Sequence, residues 1–85
     1  MTFKATVTVR RRPTILDPEG KAVEHALQSL ELRGVARLRI GKLIELHVDA
    51  ADADAARATV DEACRKLLAN PVMDDYTIAL EEAGA

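Results

Sequence analysis

The sequence holds a single cysteine, Cys64, no tryptophan, and only Phe3 and Tyr76 as aromatic residues. One cysteine excludes an intrachain disulfide framework and a zinc site built on several thiolates, the usual staples of so short a chain, and it fits a reducing, cytoplasmic setting. Two aromatics give no stacking platform for bases, and a net charge of −2 with a pI near 5.6 supplies no general attraction for nucleic acid. No apolar run approaches the roughly 20 residues that cross a bilayer. The stretch Met1–Val7 alternates polar and apolar residues and lacks the apolar centre of a signal peptide. Neither a nucleic-acid nor a membrane partner is expected. Eighty-five residues allow one domain, 1–85, which buries a smaller fraction of its surface than a domain of ordinary size, a shortage that oligomerisation would relieve.

The chemistry-bearing residues are equally sparse. Cys64 falls on an apolar helical stripe with Val60, Leu67 and Leu68, and buried cysteines behave as small apolar residues rather than nucleophiles. His25 and His47 have no neighbouring His, Cys or Asp at ligand spacing, and Asp17, Glu24 and Glu45 form no close acidic pair for general acid and base work. Gly41-Lys42 lacks the earlier glycine and following Ser/Thr of a phosphate-binding loop. No catalytic, cofactor-binding or metal-ligating residue is therefore expected. Arg10-Arg11-Arg12 is a basic cluster at a strand end, read first as a solvated rim and second as a seat for a carboxylate, a phosphate or an acidic partner surface. Arg37 and Arg39 share a mixed polar face with Glu45 and His47, more like a protein interface than a nucleic-acid track.

The elements follow from periodicity. Phe3, Ala5, Val7 and Val9 alternate with Lys4, Thr6, Thr8 and Arg10, predicting a first strand over Phe3–Arg11. Asp17 stands as an N-cap with Pro18 at the first helical position, Val23, Ala26, Leu27 and Leu30 form the stripe, and Gly34 is the expected stop. Between residues 35 and 48 the apolar positions Leu38, Ile40, Ile44, Leu46 and Val48 share one parity across Gly41. That favours one long strand that projects beyond its domain and is shared at a dimer interface, against the alternative of a hairpin and a ferredoxin-like βαββαβ order. A second helix is expected over about 52–69, capped by Asp49 or Asp52 and ended by Asn70-Pro71, with Ala53, Ala56, Val60, Ala63, Cys64, Leu67 and Leu68 inward. Tyr76–Leu80 reads as the last strand and 81–85 as a frayed tail. The fold class is α+β, an antiparallel sheet with both helices on one face.

Three strings are more particular than this physics requires. They are Ile15-Leu16-Asp17-Pro18-Glu19-Gly20-Lys21-Ala22-Val23, then Arg39-Ile40-Gly41-Lys42, then Cys64-Arg65-Lys66-Leu67-Leu68-Ala69-Asn70-Pro71-Val72 running on to Tyr76. In this order they resemble the signatures of the PurS family, the small subunits of phosphoribosylformylglycinamidine synthase, with Glu19 where that family carries glutamine.

The resemblance implies a non-catalytic assembly subunit, inactive alone, in a multi-chain, glutamine-dependent ligase of purine biosynthesis. A glutaminase subunit (PurQ) would release ammonia, and a synthetase subunit (PurL) would use ATP and Mg²⁺ to activate the formamide oxygen that ammonia replaces. The small chain, as a homodimer or tetramer, would join the two and support ammonia transfer, binding no cofactor itself. Arg39, Lys42, Lys66, Asn70, Pro71 and Tyr76 are the candidate interface residues. A small ligand-binding regulatory module of ferredoxin-like type is the alternative, motivated by the alternation of β and α elements.

Overall fold

Strand alternation begins the fold as the sequence demands. In the computed structural model, which describes residues 1–83, β1 (Thr2–Arg11) buries Phe3, Ala5, Val7 and Val9. It is followed by α1 (Pro18–Ser29), β2 (Lys42–Asp49), α2 (Ala53–Ala63) and β3 (Asp74–Glu82). The sheet order is β2-β1-β3, with both pairings antiparallel. Val7 lies opposite Ile44 and Ile78, and Ala5 opposite Leu46 and Leu80, so all three strands turn their apolar side chains to one face. Against that face lies α2, capped by Asp52, whose side chain accepts from the Ala55 amide at 2.8 Å. Its Ala56 and Val60, with Cys64 just beyond, are fully buried in the common core.

Of the helices among the described residues, only α2 lies on the sheet. Apart from Gly20, α1 buries no residue, makes no substantial contact with the strands, and leaves Val23 and Leu30 38% and 70% exposed. The expectation of two helices on one face is corrected accordingly. The chain is drawn out to 51 × 28 × 14 Å with a radius of gyration of 16.5 Å, against about 12 Å for a compact domain of this length.

The long strand over 35–48 is also corrected: pairing begins only at Lys42, and there is no hairpin in its place. Parity identified the faces but not the partners of the backbone. The amides of Leu38 and Ile40 donate to the side chains of Glu24 and Asp17, each at 2.8 Å, so the segment before β2 is tied to α1 rather than to a neighbouring strand. Arg37, with a positive φ of 55°, turns the chain at its start. The helix stop differs as well. Glu31 rather than Gly34 takes the left-handed conformation at φ 68°, the Leu32 amide donates to Leu27 O, and the Glu31 amide donates to Gln28 O. This is a Schellman closure with a non-glycine residue at its left-handed position.

At its C-terminal end α2 widens into a π-helical turn over Cys64–Leu68, closed by the Ala69 amide on Cys64 O at 3.0 Å. The extra residue in the turn rotates the stripe, so that Leu68 is half-buried while Leu67, expected inward, is 83% exposed. Ala53 is exposed too. Glu81 and Glu82, expected in a frayed tail, pair with Lys4 and Phe3 in the sheet; Gly84 and Ala85 of that tail lie outside the described residues.

Candidate interaction surface

Two of the particular strings meet in space. Asp17 caps α1 by accepting from the Gly20 amide at 3.0 Å on one carboxylate oxygen, and it accepts from the Ile40 amide at 2.8 Å on the other. A Cβ at Gly20 would sit 2.5 Å from that carboxylate and 2.8 Å from Leu38 O, which explains a glycine inside a helix. The Arg39 guanidinium donates to the carbonyls of Arg12 and Ile15, at 2.9 and 2.8 Å, and Arg11 donates to Leu16 O at 3.2 Å. Motif residues from 15–23 and 39–42 are thus halves of one joint. Arg39 therefore has an internal task, whereas Lys42 projects from the start of β2 with its side chain exposed.

The joint's acid is held ionised. Amide donation from Ile40 and then Gly20, reinforced by the charges of Arg39 and Arg11, lowers the Asp17 carboxyl below its ordinary value of 3.8 despite some desolvation. Because the folded-state value is depressed, Asp17 contributes its stability above about pH 4 and loses it as pH falls through the folded value. Melting temperature measured from pH 7 to 2 should show wild type and Asp17→Asn well separated at neutral pH and converging in acid. A constant gap would overturn this assignment.

The third string forms the opposite corner. Asn70 accepts on its side-chain oxygen from the amides of Val72 and Met73, at 2.8 and 3.2 Å, and its own amide donates to Asp74 at 2.9 Å. It therefore organises the turn. Arg12, passed over as one arginine in a run, staples the corner to the joint: it donates to Pro71 O at 3.0 Å and to Asp75 at 3.2 Å, while its carbonyl receives Arg39. Tyr76 is half-buried and its hydroxyl donates to Asp61 at 2.5 Å. That bond raises the phenol's pKa and, with Arg65 beside it, lowers the carboxylate's. Lys66 and Pro71 are exposed, and around them stand Leu67 and Val72, 83% and 73% exposed.

The structure places Asn70 and Pro71 in this turn, tied through Arg12 to Arg39, while Lys66 pairs with Glu62 and Tyr76 with Asp61, both on α2, and Lys42 stands at the start of β2. The sequence reading missed Leu67 and Val72 as surface residues; a π-turn leaves no signal in apolar spacing.

No catalytic arrangement accompanies these surfaces among the described residues. Cys64 is buried, and burial followed by the nearby Asp61 charge raises its thiol pKa, which disfavours the thiolate. His25 and His47 are exposed on separate elements, and among the described residues no group of three or more His, Cys, Asp or Glu side chains could hold a metal ion. Among the described residues no helix is long and apolar enough to cross a membrane.

Known proteins share this fold and much of this sequence. The family profile described as PurS, phosphoribosylformylglycinamidine (FGAM) synthase, matches residues 4–82. The phosphoribosylformylglycinamidine synthase subunit PurS of Bacillus subtilis is 43% identical over 83 residues, covering 98% of each chain. A solved structure of B. subtilis PurS superposes with a TM-score of 0.86 at 44% identity, over 94% of this chain and 99% of that one. A chain in the structure of PurLQS from Thermotoga maritima superposes with a TM-score of 0.86 at 34% identity, over 95% of this chain and 99% of that one.

Proposed function

The chain belongs to the PurS family of phosphoribosylformylglycinamidine synthase subunits, and from that premise we propose that it is a non-catalytic piece of the enzyme that joins the PurQ glutaminase to the PurL synthetase. The family and the PurLQS assembly from Thermotoga maritima support the partnership. The observation that carries the mode of action is the corner at 64–76: apolar Leu67 and Val72 stand in solvent on a turn braced by Asn70 and Arg12. Rigid, exposed apolar side chains are what a docking partner can bury without ordering a loop first. ATP and Mg²⁺ are handled by the synthetase, with no cofactor on this chain. The assembly works in the cytoplasm, where the ammonia released at one subunit passes to the other.

Self-association belongs to the same proposal. The drawn-out shape and the uncovered apolar stripe of α1 favour a homodimer or tetramer of PurS chains. A second copy would supply the cover that the chain's own sheet does not.

Reconstitution tests the reading. With the glutaminase and synthetase present, adding this chain should produce glutamine-dependent amidine formation. The double variant Leu67→Asp/Val72→Asp should melt close to wild type yet lose complex formation and activity by about tenfold or more. Activity that persists without the chain would sink the assignment to this assembly, and normal complex formation by the variant would remove the corner from it.

A further inference from the structure

Between α1, the 37–41 segment and the ends of β1 and β3 lies a concave basin of about 680 Å³, within the size range of small-molecule sites. We propose that it is an oxyanion site that takes a phosphate monoester of nucleotide size. The proposal stands on the basin's own side chains and does not depend on the assembly reading.

Five cations line the basin: Arg10, Arg11, Lys21, Arg37 and Arg39. Its three carboxylates are already engaged. Asp17 accepts from two backbone amides, Glu24 from the Leu38 amide with Lys21 at 4.0 Å, and Asp75 from Arg12. Arg11 and Arg39 donate to backbone carbonyls, which fix their forks, and although the Asp17 carboxylate beside them offsets part of their charge, the five cations still outnumber the three carboxylates. Among the described residues, Arg10 and Arg37 make no side-chain hydrogen bond or ion pair, although Arg10 lies directly across the sheet from Asp75. Arg37 is presented from a left-handed backbone that non-glycine residues seldom adopt.

The remaining lining suits the rest of such a ligand. Thr8 and Thr77 offer hydroxyls, and Pro13 and Leu38 offer apolar surface. A smaller basin adjoins the first, shares Thr8, Arg10, Arg11 and Arg39 with it, and adds Lys42. Guanidinium groups match phosphate oxygens in pairs, and a dianionic monoester engages more than one fork at once. The chain as a whole is acidic, and acidic residues gather at the far end of the sheet, where Asp49 and Glu81 flank Thr2 and Lys4. The positive basin is therefore a local feature rather than a consequence of net charge. It also gives a task to the Arg10-Arg11-Arg12 cluster, which the assembly reading uses only through Arg12.

Two-dimensional amide NMR on the full chain, at constant ionic strength, is the test. Inorganic phosphate and AMP should shift the amides of 8–11, 37–41 and 75–77 saturably, AMP should bind about tenfold more tightly than phosphate, and adenosine should leave these amides unmoved. Arg10→Ala/Arg37→Ala should weaken AMP by about tenfold or more with an unchanged melting temperature, because neither side chain holds anything in the fold; Arg10→Lys/Arg37→Lys should lie between. Shifts reproduced by sodium chloride, full affinity in the alanine double variant, or tighter binding of an oligoglutamate peptide than of AMP would overturn the proposal, the last by pointing to an acidic protein segment.

Discussion

Gly41→Ala should destabilise the chain by about 3 kcal/mol, the upper part of the usual penalty for overpacking, and lower its melting temperature by roughly 12–24 °C. A Cβ at this position would stand 2.5 Å from Val9 O, 3.6 Å from Val9 C and 3.7 Å from Arg10 Cα. These are backbone atoms of the central strand, which is hydrogen-bonded on both sides, to β2 and to β3. Val9 itself is 3% exposed, so β1 cannot move without disturbing the core over it. The 38–41 segment cannot move away either, because its amides are tied to Asp17 and Glu24. Gly41 is not at positive φ, so the strain comes from the close approach and not from backbone conformation. Urea unfolding at fixed protein concentration is the measurement. A loss under about 1 kcal/mol would mean that the segment slides outward and that the joint is softer than its hydrogen bonds imply.

This joint also marks how far the sequence could be read. The period of two in β1, the Asp17-Pro18 start of α1 and the Asp52 cap of α2 are local physics, and each appears where its residues put it. The parity of Leu38, Ile40, Ile44, Leu46 and Val48 was equally visible, and within β2 it holds: Ile44, Leu46 and Val48 face the core. What parity cannot carry is the destination of a backbone amide. The amides of Leu38 and Ile40 find carboxylates 14 and 23 residues away in sequence, outside any window of periodicity. Leu67 fails for a related reason, since an i→i+5 closure shifts the helical phase without changing composition. The motif strings were legible as strings. Their division of labour was not: Asp17, Gly20, Arg39 and Gly41 hold the joint, Asn70 holds the corner, and Lys66, Leu67, Pro71 and Val72 stand exposed there.

Val23→Asp/Leu30→Asp should convert an oligomer into a 9.2 kDa monomer that has lost much of the α1 helical signal. The stripe on α1 has nothing of its own to cover it, with Leu30 70% exposed, Val23 38% and the following Leu32 50%. Twelve residues are at the margin of what forms a helix in water on propensity alone. Its Asp17 cap and Schellman closure help at the two ends, but most helical stability comes from a buried face. A second PurS chain laid against α1 would provide that face. Burying a valine or leucine contributes about 1.5–3 kcal/mol, so removing both, with carboxylates in their place, should cost about 4 kcal/mol or more, on the order of a thousandfold in dissociation constant. Size-exclusion chromatography with light scattering reads the mass, and far-UV circular dichroism reads the helix. Wild type should run at a multiple of the chain mass and the variant at the chain mass with reduced helicity, while β1, β2, β3 and α2, whose core includes no α1 residue, keep their cooperative melt. A wild-type chain that is monomeric with α1 fully helical at micromolar concentration would show that the stripe needs no cover, and the case for self-association through α1 would fall with it.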